Sequence, residues 1–184
     1  MIGSAQVATS EIIAGDRLDL VPFHDRLLKQ RYVGWLNDPE TVRYSEQRHQ
    51  VHTLESCRIY AESFHGTPHY FWGIMAREAD FGHVGNITAT VSLRNRTADL
   101  AILVGEASAR GRGLGLEAWR CALAYLLGPG GLRKVTAGAM ALNRPMLRVM
   151  EASGMVDDGR KARQFLLDGE EVDAVYVARF AAGA

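Results

Sequence analysis

The stretch Arg110-Gly111-Arg112-Gly113-Leu114-Gly115 limits the fold of this chain more than any other. It follows an apolar run at residues 101–104. It also opens a segment that places Trp119, Ala122, Leu123, Leu126 and Leu127 on one helical face. Glycines let the main chain approach an anion with no side chain in between. The N–H groups of a helix start then point at that anion, at the positive end of the helix dipole. A pyrophosphate is the natural guest, and the plainer alternative is a turn that only packs a helix on a strand. A P-loop would end in Gly-Lys-Ser/Thr, whereas Gly115-Leu116-Glu117 does not. A dinucleotide fingerprint would space its glycines differently and lie in the first strand–helix unit.

The surrounding pattern supplies the rest of a mixed α/β domain. Residues 17–23 read as a first strand, and residues 24–36 carry Leu27, Leu28, Tyr32 and Trp35 at helical spacing up to Asn37-Asp38-Pro39. Thr53 is placed to cap a second helix, with Ser56 close by. Residues 70–76, 82–93 and 98–104 are strand-like runs separated by turns, the spacing of an antiparallel meander. After the glycine loop and its helix, Gly128-Pro129-Gly130-Gly131 is a firm stop. A short strand follows at 135–139. Asn143 then caps a helix with Pro145 in its first turn and Gly154 past its end. Residues 163–167 and 172–180 flank Asp168-Gly169, a hairpin signal. Residues 1–15 are expected to form a loosely held arm, and residues 16–184 a single domain.

Composition narrows the function classes. Among 184 residues, 21 basic side chains balance 21 acidic ones, which argues against nucleic-acid binding by bulk charge. Cys57 and Cys121 are too far apart on helical segments to suggest a disulfide framework. No run approaches the roughly 20 apolar residues that cross a bilayer, and no basic cluster precedes an apolar run near Met1. A cytoplasmic protein without a membrane or nucleic-acid partner is therefore expected.

Arg-x-x-Gly-x-Gly at Arg110 to Gly115, between a strand and an amphipathic helix, resembles the acetyl-CoA loop of the GNAT N-acetyltransferases. The likeness extends to Asn143 and Glu151-Ala152-Ser153-Gly154-Met155, similar to that family's Asn…Glu-Lys-x-Gly-Phe signature, and to the closing hairpin. It is nearest to the branch that acetylates ribosomal-protein N-termini, amino sugars and small amines. The resemblance implies a mostly antiparallel sheet whose middle strands splay apart, flanked by helices. It implies acetyl-CoA as co-substrate and no metal. Arg110, Gly111, Arg112, Gly113, Leu114 and Gly115 would hold the pyrophosphate. Ile102, Leu103 and Val104, on a strand bulged at residues 101–104, would pair with the pantetheine arm and offer an N–H to the developing oxyanion. Asn143 would add a cofactor contact to its capping role.

Transfer of acetyl to an amine needs a group that takes the ammonium proton. Asp99, at the start of the strand that leads into the loop, is the first candidate, and Glu106 the second. A Tyr that many relatives place after the Asn is matched here by Met150, which donates no proton; water or Ser153 would have to serve. All six His and ten of the fifteen aromatics precede residue 84, the half that would line the acceptor side. Trp35, Tyr44, Arg48, His52 and Asn86 are the candidate acceptor-binding residues, although the helical spacing of Trp35 with Leu28 and Tyr32 fits the core better. His49 and His52 lack a third ligand for a metal. The favoured acceptor is a small polar amine such as an amino sugar or nucleotide-linked amino sugar. The alternatives are a protein N-terminal amine and a silent acyl-CoA-binding module, and a homodimer is compatible with each.

Overall fold

The computed structural model describes residues 11–78 and 81–183. Alternating apolar residues build β2 (Leu18–Pro22), β3 (Tyr70–Ala76), β4 (Gly82–Ser92) and β5 (Thr97–Val104), the last three forming the expected antiparallel meander. Added to these are β1 (Ile13–Ala14), β6 (Lys134–Met140), β7 (Val156–Leu167) and β8 (Glu170–Phe180). They form one eight-stranded sheet in the order β1-β2-β3-β4-β5-β6-β8-β7. Among the described residues only the β5–β6 contact is parallel, because a helix crosses over between those strands.

That crossover helix is α4 (Leu114–Leu127), which shares one face of the sheet with α5 (Arg144–Ala152). Trp119, Leu123 and Leu126 of α4 are fully buried with Leu100, Val135 and Met150. At about 25 cal/mol per Å² of apolar surface, this is the main store of stability. The other face carries α1 (Gln30–Asn37), α2 (Pro39–Val42) and α3 (Leu54–Glu62). Tyr32, Trp35 and Leu36 of α1 pack there with Cys57 of α3 and Phe71 of β3. Thr53 caps α3 in a reciprocal box with Ser56, and Asn143 caps α5 through Met146 N–H.

Some expectations are corrected. The span 24–36 is not one helix: a 3-10 turn at Asp25–Leu27 is followed by Lys29 in an extended conformation, and only then by α1. The closing hairpin is longer than its apolar pattern, since β7 starts at Val156 and runs as a charged, exposed edge strand. Of the expected arm, residues 1–10 lie outside the described residues, while Ile13–Ala14 pair with β2.

The splay of the middle strands is present. β5 and β6 pair only at Thr97↔Lys134, Ala98↔Val135 and Asp99↔Thr136. Beyond that, Leu100 to Val104 bond β4 alone, and Ala137 to Met140 bond β8 alone. The cleft between them is about 16 Å long at 3.3 Å per residue. The bulge expected at residues 101–104 is not there, as the β4–β5 register runs unbroken from Gly85↔Val104 to Ser92↔Thr97. The irregularity sits instead in β4 opposite Ile74/Met75, where Val84 O accepts from both Gly105 and Glu106 N–H. At the open end α4 packs directly on β5. A Cβ on Gly115 would come within 3.2 Å of Val104 Cγ2.

Candidate active site

Gly111 (φ +72°) and Gly113 (φ +82°) take left-handed conformations that L side chains rarely adopt, and Gly113 is the N-cap of α4. With no side chain at that cap, no side-chain oxygen satisfies the first amides of α4, whereas Asp38, Thr53 and Asn143 cap α2, α3 and α5. The first amides of α4 are thus left without a side-chain acceptor at the open end of the cleft. Gly115 has a different task, the close packing on Val104. The loop arginines are partly committed. Arg110 turns inward, donating to Val104 O (3.0 Å), Gly105 O (3.1 Å) and Thr41 Oγ1 (2.6 Å), which ties the end of β5 to α2. Arg112 donates to Ser108 O, pairs with Glu78 at 3.6 Å and stacks on Phe81. The amide of Leu114 belongs to the uncapped first turn.

Along the cleft, Ile102 packs towards α4 and Leu103 towards Trp35 and Tyr32. Their backbone edge, with that of Val104, faces the gap left by β6. Asn143 stands across that gap, just past the end of β6. At the closed end, Asp99 accepts from Thr136 Oγ1 (2.8 Å). Desolvation within the sheet pushes its carboxyl above the usual range, and the Thr136 bond opposes this in part. Glu106 behaves oppositely. Ser108 Oγ donates to it at 2.6 Å, Arg31 forms an ion pair with it, and together they pull its carboxyl down to about 2.

Strand alternation puts Asp99 on the α1–α3 face, with Thr90 opposite it on β4 and Thr136 opposite it on β6. Thr88 lies on the same strip and hydrogen-bonds the Tyr60 phenol, which opposes in part the upward push of its burial. Tyr44 packs beside Met140, Leu167 and Val172, at the open end of β6 on this face. Asn86 continues that strip, opposite Leu103, whereas Trp35, Arg48 and His52 are placed elsewhere. Trp35 is 7% exposed and lies flat under Gly105, where a Cβ would meet its ring at 2.0 Å. Arg48 donates to Ser45 O, Glu46 and Leu166 O, bracing the 3-10 turn Glu46–His49 against β7. His52 is held at its backbone by Asn37, and its Nε2 is buried without a partner among the described residues. Asn86 is buried with Oδ1 on His83 Nε2 (2.9 Å) and Nδ2 unpartnered among the described residues. Among the described residues, no group of His, Cys, Asp or Glu could hold a metal ion.

Met150 is 1% exposed in the core. Ser153, the expected alternative donor, is also buried, and its hydroxyl donates to Met150 O (2.8 Å), on the α5 side of the sheet. It is therefore corrected as a source of the leaving group's proton. Sequence spacing missed Arg17, whose guanidinium donates to Arg112 O (2.9 Å) and pairs with Glu117 of α4. It lies 3.3 Å from where a Gly113 Cβ would sit. Thr41 and Thr136 were missed as well. Each is brought to the site by a neighbouring element rather than by its own stretch of sequence.

The Acetyltransferase (GNAT) domain family model matches residues 17–156, and the chain belongs to the GNAT acetyltransferases. Comparison with curated protein sequences finds no match. Solved structures share the fold. A GNAT-family acetyltransferase from Bacillus anthracis superposes with a TM-score of 0.78 at 20% identity, covering 92% of this chain and 98% of that one. RimL, a ribosomal L7/L12 α-N-protein acetyltransferase in complex with coenzyme A, gives 0.83 at 14% identity over 95% and 100%. A spermidine N-acetyltransferase from Vibrio cholerae, in complex with CoA and spermine, gives 0.79 at 16% identity over 90% and 96%.

Proposed function

We propose that this protein transfers acetyl from acetyl-CoA to the primary amine of a small hydroxylated acceptor of the amino-sugar class, with Asp99 taking the proton. The observation that carries this reading is the β5–β6 cleft, which runs from the uncapped glycine loop at its mouth to Asp99 and Thr136 at its closed end. The amides of residues 112–115 and the positive end of α4 suit a pyrophosphate. The unpaired edge of Leu100 to Val104 suits an amide-bearing arm laid along it as an added strand. Bound there, the cofactor supplies an acyl thioester.

Asp99 would accept a proton from the incoming ammonium, directly or through one water, freeing the nitrogen lone pair. The new C–N bond forms as C–S breaks, and the second proton of the nitrogen passes through water to the released thiolate. A raised carboxyl suits this better than one held at about 2, because a base works best with a pKa near the operating pH. Glu106 instead anchors α1 to the turn before the loop. Adjacent N–H groups of a strand point to opposite edges; Gly105 N–H bonds Val84 O on the β4 side, which leaves the Val104 N–H on the open edge to meet a developing oxyanion.

The acceptor strip favours one ammonium and several hydroxyls. Thr88, Thr90 and Thr136 offer neutral hydrogen-bonding groups around a single carboxylate. On the neighbouring hairpin, Asp168 pairs with Arg43, Asp173 with Arg160, and Glu171 with Arg163. On the strip itself a polyamine would therefore find one carboxylate, Asp99, for several positive charges. The test is thiol release from acetyl-CoA with glucosamine-type amines, spermidine and a short peptide as acceptors. Turnover greatest with the amino sugars supports the reading. Turnover greatest with spermidine or the peptide would reassign the acceptor, and cofactor binding without any turnover would point to a silent module.

A further inference from the structure

Behind the glycine loop, on the α1 side of the sheet, lies a second cavity of about 480 Å³. This is within the range of small-molecule sites. Its floor is apolar, with Val21, Leu27 and Met75 among its lining, and its rim carries His24, Arg26, Lys29 and Arg31. Among the described residues, no carboxylate lines it. The adjacent start of α1 adds to the same sign: Lys29 stands at the N-cap, where Ser, Thr, Asp or Asn is usual, and no acid sits in the first turn. A concave apolar surface whose rim holds Arg26 and Lys29 in no ion pair among the described residues is complementary to one kind of guest.

From this cavity and its rim we infer a second ligand site, for a small amphipathic monoanion such as a medium-chain carboxylate. Its charged end would meet Arg26 and Lys29, and its apolar body would cover the floor. The site is distinct from the β5–β6 cleft, yet two side chains join them. Arg31, on the rim, donates to Phe81 O (3.3 Å) and to Glu106, the residue that caps the turn before the loop. Phe81, in the cavity wall, carries Arg112 of the loop on its ring, 5.0 Å from the centroid. An anion in the cavity competes with Glu106 for Arg31, so occupancy loosens that turn and weakens cofactor binding. The effect is reciprocal, because coupling between two sites is.

The test is calorimetric titration of the intact protein with octanoate, beside uncharged octanol, with and without saturating CoA. The Arg26→Glu, Lys29→Glu double variant is titrated in parallel, its folding checked by thermal melting. Saturable one-to-one binding of octanoate is expected, at least tenfold weaker for octanol and for the double variant. CoA should raise the octanoate Kd several-fold to a plateau. Absence of saturable binding, or equal binding by octanol or by the folded double variant, overturns the site. An octanoate Kd that climbs without limit as CoA is added also overturns it, by placing octanoate in the cofactor cleft. An octanoate Kd unchanged by bound CoA overturns the coupling. Failure of CoA itself to bind would count against the proposed function and leave the octanoate result standing.

Discussion

Asp99 and Glu106 are both carboxylates near the same strand, and their surroundings drive them apart. Burial raises Asp99, so the folded state holds its proton more tightly than the unfolded chain does. Its contribution to stability therefore falls as pH rises from the unfolded value through the folded one. Asp99→Asn is expected to leave stability at neutral pH unchanged or slightly higher, while turnover drops about 10²–10⁴-fold. Melting curves and thiol-release rates read the two effects separately. The wild-type rate should rise with pH as Asp99 ionises, and the Asn variant should lose that limb. Glu106 is depressed to about 2 by Ser108 and Arg31, so its stabilisation is full above the ordinary carboxylate range and is lost as pH falls towards 2. Glu106→Gln should cost on the order of 1 kcal/mol by chemical denaturation at neutral pH, given its solvent-screened position. Some turnover should persist, unlike in Asp99→Asn.

At the scale of elements, the three loop glycines do different work. Gly113→Glu puts a side chain and a negative charge where the loop amides converge, and a non-glycine residue at φ +82° costs about 1–2 kcal/mol. CoA affinity should fall at least tenfold with the fold retained, checked by calorimetry and circular dichroism. Gly115→Val would act by packing instead, pushing α4 off Val104 and lowering the melting temperature. Much of this element was legible in the sequence, since glycine spacing, the Asn143 cap, the meander and the Asp168-Gly169 turn are local signals. What was not legible is long-range or compensated. Arg17 reaches the loop across 95 positions of chain. Trp35 and Arg48 carry the residue types of a sugar pocket, yet they sit against Gly105 and brace β7. The first half of β7 has no apolar alternation, because as an edge strand it buries little. The bulge that the family likeness implies for β5 is absent, and the irregularity falls instead in β4 opposite Ile74/Met75, a shift no local signal marks.

For the whole molecule, one parallel contact in an otherwise antiparallel sheet makes the cleft on which the proposed function rests. The crossover through α4 brings β6 beside β5 for three residue pairs and then lets it diverge. Ligand that fills the gap is bound only by the folded state. CoA at about 100 times its Kd should stabilise the protein by about 2.7 kcal/mol, a rise of about 5–10 °C in melting temperature for a domain of this size. The β5–β6 cleft and its glycine loop as the acetyl-CoA site are tested most directly by titrating acetyl-CoA calorimetrically into the wild type and Gly113→Glu. One-to-one binding by the wild type, at least tenfold weaker in the folded variant, is expected. No binding by the wild type, or equal binding by both, would contradict the assignment and leave the loop as a packing turn.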